Sequence, residues 1–319
     1  MIIEALLFIF GLYILIKGAD FIVDSSTKLA RKFGVSNFVI GLTLVAFGTS
    51  IPEFIVSLFA AIKGVTDLTL GNIIGSNIAN ILLILGIASL VSEVKINSPR
   101  ILQQIAYSIL APIALAIIAF RPNLMLGPPT INEYISIVFI ALTFGFVYSN
   151  FKKPKKVGRK KPKTKRHLEK PSLTITKLIA GIIGIYLGGK FVVDGAVAIS
   201  HFLGISHFLI SATIVAIGTS LPELAVSLVS IYRKNIGMTL GNIIGSNVMN
   251  VFFILGFTSV IKRINVPQVF LPDMGFMFLS SAYLFLIIKY RKKETLNKKD
   301  GIALLLTYAI YVAYIMVRG

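Results

Sequence analysis

The sequence predicts an all-α polytopic membrane protein of ten transmembrane helices, built as two inverted five-helix repeats. Three observations carry that prediction. The chain is 55% hydrophobic and only 14% charged over 319 residues, where soluble domains run near 25% charged. One stretch occurs twice: residues 34–86 and 204–256 align without a gap at an offset of 170, with 28 identities in 53 positions. A duplication of that length is a structural unit. The membrane-length apolar windows number ten, five on each side of a basic segment.

In order, the windows fall at 2–24, 37–62, 69–92, 101–120, 132–150, 173–196, 207–231, 238–260, 267–289 and 301–318. The first, MIIEALLFIFGLYILI, has no positive n-region and no small-residue cleavage site, so it reads as a retained helix. Pro, Gly and Asn punctuate the joints, as in RPNLMLGPPTIN at Arg121–Asn132. Three units follow: a first repeat at 1–150, a linker at 151–172, and a second repeat at 173–319. The linker, FKKPKKVGRKKPKTKRHLEK, is too charged to fold alone and reads as a solvated connector. A polybasic segment of this kind also suits anionic lipid head groups.

Five is an odd number, so head-to-tail copies enter the membrane from opposite sides. The charges fit that topology. With the linker cytoplasmic, 25 Lys and Arg fall inside and five outside, which puts both termini outside. The net charge of +19 is therefore a topology signal, and its distribution argues against nucleic-acid binding. There is no Cys, which excludes disulfides and thiolate metal sites. His167, His201 and His207 lie outside the repeated motifs and read as loop residues.

The repeated stretch puts Gly-Thr-Ser-x-Pro-Glu in the middle of an apolar helix, as Gly48–Glu53 and again as Gly218–Glu223. An ionisable residue at that depth costs several kcal/mol, so it marks a functional site. Pro52 and Pro222 lack an N–H and crowd the preceding turn, freeing carbonyls around Ala46–Thr49 and, in the second copy, Ala216–Thr219. Thr49, Ser50 and Glu53 share a helix face, as do Thr219, Ser220 and Glu223. The second motif, Gly-Asn-Ile-Ile-Gly-Ser-Asn-x-x-Asn, forms a polar stripe of Asn72, Ser76 and Asn80 with Asn77 at its edge. Asn242, Ser246, Asn247 and Asn250 repeat it. Gly71 and Gly75 suit close helix packing. The two copies together make an oxygen-only site with two carboxylates, suited to hard cations such as Ca²⁺ and Na⁺ and unsuited to zinc or copper. Helices 2, 3, 7 and 8 are expected to break there. Lys190 and Asp194, spaced i, i+4, read as a local ion pair; Asp20 and Asp24 lie near the end of helix 1.

These motifs resemble the two alpha-repeats of the cation/Ca²⁺ exchanger superfamily, most closely its sodium/calcium exchanger branch, over essentially the whole chain. The resemblance implies ion ligands at Ala46, Thr49, Ser50, Glu53, Ser76 and Asn80, and at Ala216, Thr219, Ser220, Glu223, Ser246 and Asn250. Asn72, Asn77, Asn242 and Asn247 stand beside them in support. It also implies that helices 1 and 6 slide across the bundle. Where many members carry Asp at the position of Asn250, this chain has Asn in both copies, which weakens any case for K⁺ co-transport. The expectation is a Na⁺/Ca²⁺ antiporter of the cell membrane, functional as a monomer, without a cofactor and not an enzyme. An H⁺/Ca²⁺ antiporter (or one for another divalent cation) on the same scaffold is the alternative. A cation channel and a membrane metalloenzyme rank below it.

Overall fold

In the computed structural model, residues 2–96, 99–121, 128–151, 170–202, 218–290 and 295–318 are described. Among them, eight helices are long and apolar enough to cross a membrane, and a ninth crossing is a bent pair. The chain is a predominantly helical polytopic membrane protein. The seventh window, 207–231, is described only from residue 218.

Helix α1 (Ile2–Phe33) runs to a basic last turn, and Gly34 ends it at φ +68°. At about 1.5 Å per residue it exceeds the ~30 Å hydrocarbon thickness. Its partner is α7 (Pro171–Phe202), and the two meet backbone to backbone. A Cβ on Gly188 would stand 2.5 Å from the Leu15 nitrogen, and one on Gly181 would stand 2.9 Å from the Gly18 carbonyl. Only glycine permits that approach.

The second window is two helices, α2 (Asn37–Thr49) and α3 (Ile51–Ile62), bent by 44° at Ser50. Ser36 caps α2, and Pro52 sits in the first turn of α3, where its missing N–H costs nothing. Next comes α4 (Thr66–Val91), which corrects one expectation: helix 3 is continuous. It carries a π-helical turn at Asn80–Ile84 instead of a break. Its counterpart α9 (Ile236–Ile261) has one at Met249–Leu255, so helix 8 is unbroken too. Neither motif contains proline, so the backbone ladder absorbs one extra residue without opening. In the second copy α8 (Leu221–Tyr232) again carries proline in its first turn.

The remaining helices are α5 (Pro99–Phe120), α6 (Glu133–Phe151), α10 (Leu271–Tyr290) and α11 (Lys298–Arg318). Burial ranks them. About four-fifths of α4 and α9 is buried (78% and 83% of the apolar window), against 22% of α11. The two polar-motif helices are thus the centre of the bundle, and the outer helices show apolar side chains such as Leu306 and Ile310 to lipid.

The halves are interlocked. Gly86 of α4 faces Gly301 and Leu305 of α11, and Gly256 of α9 faces Phe139 and Ile140 of α6. Two short antiparallel ladders, absent from the sequence expectation, repeat the exchange. Strand β1 (Val94–Lys95) pairs with β4 (Thr295–Leu296), and β2 (Thr130–Ile131) with β3 (Ile264–Asn265). In each case an element following the repeated stretch of one half meets the last helix, or its lead-in, of the other.

Candidate functional site

The motifs converge at the middle of the bundle. Thr49, Ser50, Glu53, Ser76, Asn77 and Asn80 of the first copy are at most 4% exposed, as are Ser220, Glu223, Asn242, Ser246, Asn247 and Asn250 of the second. Asn72 and Thr219 are half-buried. Ala46 is buried beside them, while Ala216 lies outside the described residues. Pro52 and Pro222 are both buried at the starts of α3 and α8.

Hydrogen bonds cross from one copy to the other. Thr49 Oγ1 donates to Asn242 Oδ1 at 3.1 Å, and Thr219 Oγ1 to Asn72 Oδ1 at 3.3 Å. Asn72 Nδ2 in turn donates to Ser57 Oγ (3.1 Å) and the Glu53 carbonyl (3.4 Å). Asn242 Nδ2 does the same to Ser227 Oγ and the Glu223 carbonyl. Each asparagine therefore ties the helix bearing its own copy's glutamate to the threonine of the other copy. Behind them, Thr69 Oγ1 bonds the Ser57 carbonyl and Thr239 Oγ1 the Ser227 carbonyl. The motif reading missed these four residues, although Ser57/Ser227 and Thr69/Thr239 are identical at the offset of 170.

The symmetry stops at the carboxylates. Glu223 Oε1 accepts from Ser50 Oγ at 3.2 Å and Ser246 Oγ at 3.4 Å. The corresponding bonds, from Ser220 and Ser76 to Glu53, are not made. Both oxygens of Glu53, Ser76 Oγ, Asn80 Oδ1, Ser220 Oγ, Glu223 Oε2 and Asn250 Oδ1 are buried without a hydrogen-bond partner. Natural proteins rarely leave buried polar atoms unpaired. Seven such atoms in one place, all oxygens and all from the predicted ligand set, match the six to eight oxygens that surround Ca²⁺. Among the described residues no group of three or more His, Cys, Asp or Glu is placed to hold a metal ion.

Three expectations need correction. The Ala46 carbonyl is not bare: it accepts the Ser50 N–H at 3.0 Å and faces Thr49 Oγ1 at 3.2 Å, because the chain keeps its helical bond up to the bend. Lys190 and Asp194 form no ion pair with each other; both are exposed on α7. The α1 acids pair elsewhere: Asp20 Oδ1 across the bundle with Arg233 Nη2 at 2.8 Å, and Asp24 Oδ2 within its own helix with Lys28 Nζ at 2.6 Å. The close approach expected at Gly71 and Gly75 occurs at their counterparts, Gly241 and Gly245. A Cβ there would strike the Phe38 and Leu42 carbonyls of α2, whereas at Gly75 it would meet nothing within 4 Å.

A family profile described as sodium/calcium exchanger protein matches residues 3–152 and 174–317, either side of the basic linker. The sodium/calcium exchanger MaX1 of Methanosarcina acetivorans is 32% identical, covering 98% of this chain and 97% of its own. The uncharacterized membrane protein MJ0091 of Methanocaldococcus jannaschii is 34% identical over 96% of each. A solved structure of the sodium-calcium exchanger NCX_Mj, soaked with zero Na⁺ and Ca²⁺, superposes with a TM-score of 0.83. It is 32% identical, covering 98% of this chain and 99% of the other.

Proposed function

The chain belongs to the sodium/calcium exchanger protein family, and from that premise we propose that it exchanges Na⁺ for Ca²⁺ across the membrane by alternating access. It is a transporter on this reading, not an enzyme. The observation that carries the reading is the set of seven unpartnered buried oxygens, drawn from both copies and including both glutamates.

The mechanism follows from charge. Glu53 and Glu223 supply −2, which one Ca²⁺ or two Na⁺ neutralise; a third Na⁺ would make exchange electrogenic. The hydroxyls of Thr49, Ser50, Ser76, Thr219, Ser220 and Ser246 and the amide oxygens of Asn80 and Asn250 complete the ligand set, to which the Ala46 carbonyl can add only the lone pair left beside its helical bond and Ala216 its counterpart outside the described residues. Both ions use the same carboxylates, so each displaces the other. The ion-free site carries two uncompensated charges and resists moving between faces, which couples the two fluxes.

We propose further that the ten windows cross as two inverted repeats, 1–150 and 173–319, joined by a cytoplasmic linker with both termini outside. Contacts at the helix ends support this. β1 and β4 both flank loops assigned inside, while β2, β3 and the Arg263–Glu133 pair lie at ends assigned outside. One chain contains both halves of the site, which supports a functional monomer. The linker, most of it outside the described residues, keeps its reading as a solvated connector whose basic run also suits anionic lipid head groups.

The test is Ca²⁺ uptake into Na⁺-loaded proteoliposomes with external Na⁺ removed. Uptake that needs internal Na⁺ and ends when the gradient is dissipated is expected. Uptake driven by a pH gradient and indifferent to Na⁺ would establish proton coupling instead. Flux without any counter-ion would indicate a channel.

A further inference from the structure

Four buried asparagines meet where α4 and α9 cross, and their amides have only one consistent orientation. Asn77 Nδ2 lies 3.2 Å from the backbone carbonyl of Asn247, and Asn247 Nδ2 lies 3.2 Å from that of Asn77. A carbonyl only accepts, so the atom facing it is the NH₂ group in both cases. The Oδ1 of each must then occupy the other branch of the amide. There it meets a second asparagine: Asn80 Nδ2 is 2.9 Å from Asn247 Oδ1, and Asn250 Nδ2 is 3.1 Å from Asn77 Oδ1. An amide oxygen also only accepts, so Asn80 and Asn250 present nitrogen to the pair and oxygen away from it. Those outward oxygens, Asn80 Oδ1 and Asn250 Oδ1, are two of the unpartnered atoms of the site. All four side chains are at most 1% exposed, so no bulk water competes for these positions.

We infer that Asn77 and Asn247 are positioning residues that aim the oxygens of Asn250 and Asn80 at the transported ion. The inference rests on the ligand reading proposed above and adds a role to two residues that do not themselves touch the ion. The control is crossed: Asn77 of the first copy orients Asn250 of the second, and Asn247 orients Asn80. Two backbone carbonyls thus set the polarity of the ligand shell, and neither half of the site is oriented without the other. The arrangement also commits positions 80 and 250 to a group with a donor on one side and an acceptor on the other. An ionised carboxylate has no donor to offer Asn77 or Asn247 Oδ1.

A purely structural role would lower stability without acting through one particular ligand, so a double-mutant cycle separates the two. Ca²⁺ binding to the full-length solubilised chain is measured for Asn77→Leu, Asn250→Ala and the double variant. Asn77→Leu is expected to weaken Ca²⁺ about tenfold or more, as loss of an outer-shell partner does. Asn250→Ala weakens it as well, and the double variant is expected to be no weaker than Asn250→Ala alone. Multiplying effects would mean that Asn77 acts by packing, and would overturn the positioning role while leaving the ligand set intact. Unchanged Ca²⁺ affinity in Asn250→Ala would instead overturn the ligand reading and the positioning role together. The mirror cycle, Asn247→Leu with Asn80→Ala, makes the same demand, so a variant that fails to assemble does not remove the test.

Discussion

Replacing Glu53 by Gln preserves the shape of the side chain and removes one charge, and the structure sets opposite consequences with and without Ca²⁺. Glu53 is fully buried and neither of its oxygens has a hydrogen-bond partner. An ionised carboxylate in that position costs several kcal/mol of desolvation. A neutral amide left unsatisfied costs only about 1–3 kcal/mol. The ion-free Gln variant is therefore expected to be more stable than the parent chain, by about 1–3 kcal/mol. Glu223→Gln should gain less, because Ser50 and Ser246 already donate to Glu223 Oε1.

With Ca²⁺ the order reverses. Removing one partner of a buried charge pair costs about 3–5 kcal/mol, which is two to nearly four decades of affinity. At a Ca²⁺ concentration near 100 times its Kd, the parent chain gains about 2.7 kcal/mol of stability. A variant bound at least a hundredfold more weakly gains no more than about 0.4 kcal/mol at that concentration. Thermal denaturation of the solubilised chain with and without Ca²⁺ reads both effects, and proteoliposome uptake should be abolished. A Glu53→Gln variant that kept the full Ca²⁺-dependent shift and normal uptake would refute the site. One that lost several kcal/mol in the ion-free state would refute the view that the carboxylate is a burden without its ion.

Lys190 is exposed and lacks the predicted partner Asp194, so Lys190→Gln should leave Na⁺-driven Ca²⁺ uptake within about twofold of the parent rate, an effect of under 1 kcal/mol. A large loss would place Lys190 on the ion path. Two further arginines differ through burial. Arg318 pairs at 2.5 Å with Asp273, whose side chain is 4% exposed and also accepts from Tyr311 Oη. Arg318→Gln should cost about 3 kcal/mol by stranding that carboxylate. Arg233 and Asp20 are each more than a third exposed, so Arg233→Gln should cost less than about 1 kcal/mol. Equal melting shifts for the two variants would undo that distinction.

Much of this was legible in the sequence for a definite physical reason. Membrane spans are long apolar runs, and the described helices follow the predicted windows to within a few residues at most ends. The outer windows 101–120 and 132–150 became Pro99–Phe120 and Glu133–Phe151. The exceptions are helix 6, which runs on to Phe202 from a predicted end at 196, and helix 1. The polar last turns of helix 1, through Asp24, Lys28 and Lys32, extend to Phe33 because Asp20 pairs with Arg233 and Asn235 donates to Thr27. Hydropathy does not register such contacts. The bend at Ser50 was legible because proline has a local mechanism. The π-turns at Asn80 and Met249 were not, since they satisfy tertiary packing and leave no composition signal. That the polar residues of the two motifs belong together was legible from two copies of one motif, and the hydrogen bonds between the copies bring them together. Their pairing was not, because sequence spacing says nothing about which asparagine of one copy meets which of the other.

The pairing is what gives a two-fold sequence a one-sided site. Thr49–Asn242 is buried while Thr219–Asn72 is half-buried. Glu223 is held by two serines while the serines equivalent to them, Ser220 and Ser76, leave Glu53 unbonded. Nothing in the motifs distinguishes the copies at these positions: Thr, Ser, Glu, Asn and Ser recur identically at the offset of 170. On the proposed inverted topology, an arrangement with the roles of the copies exchanged would draw on the same residue types and would face the opposite side of the membrane. Two arrangements made of the same bonds would lie close in energy, so modest differential binding would be enough to select between them. A site bonded symmetrically to both glutamates would have no such partner state. The incomplete half of the network is thus as much a part of the exchanger as the complete half.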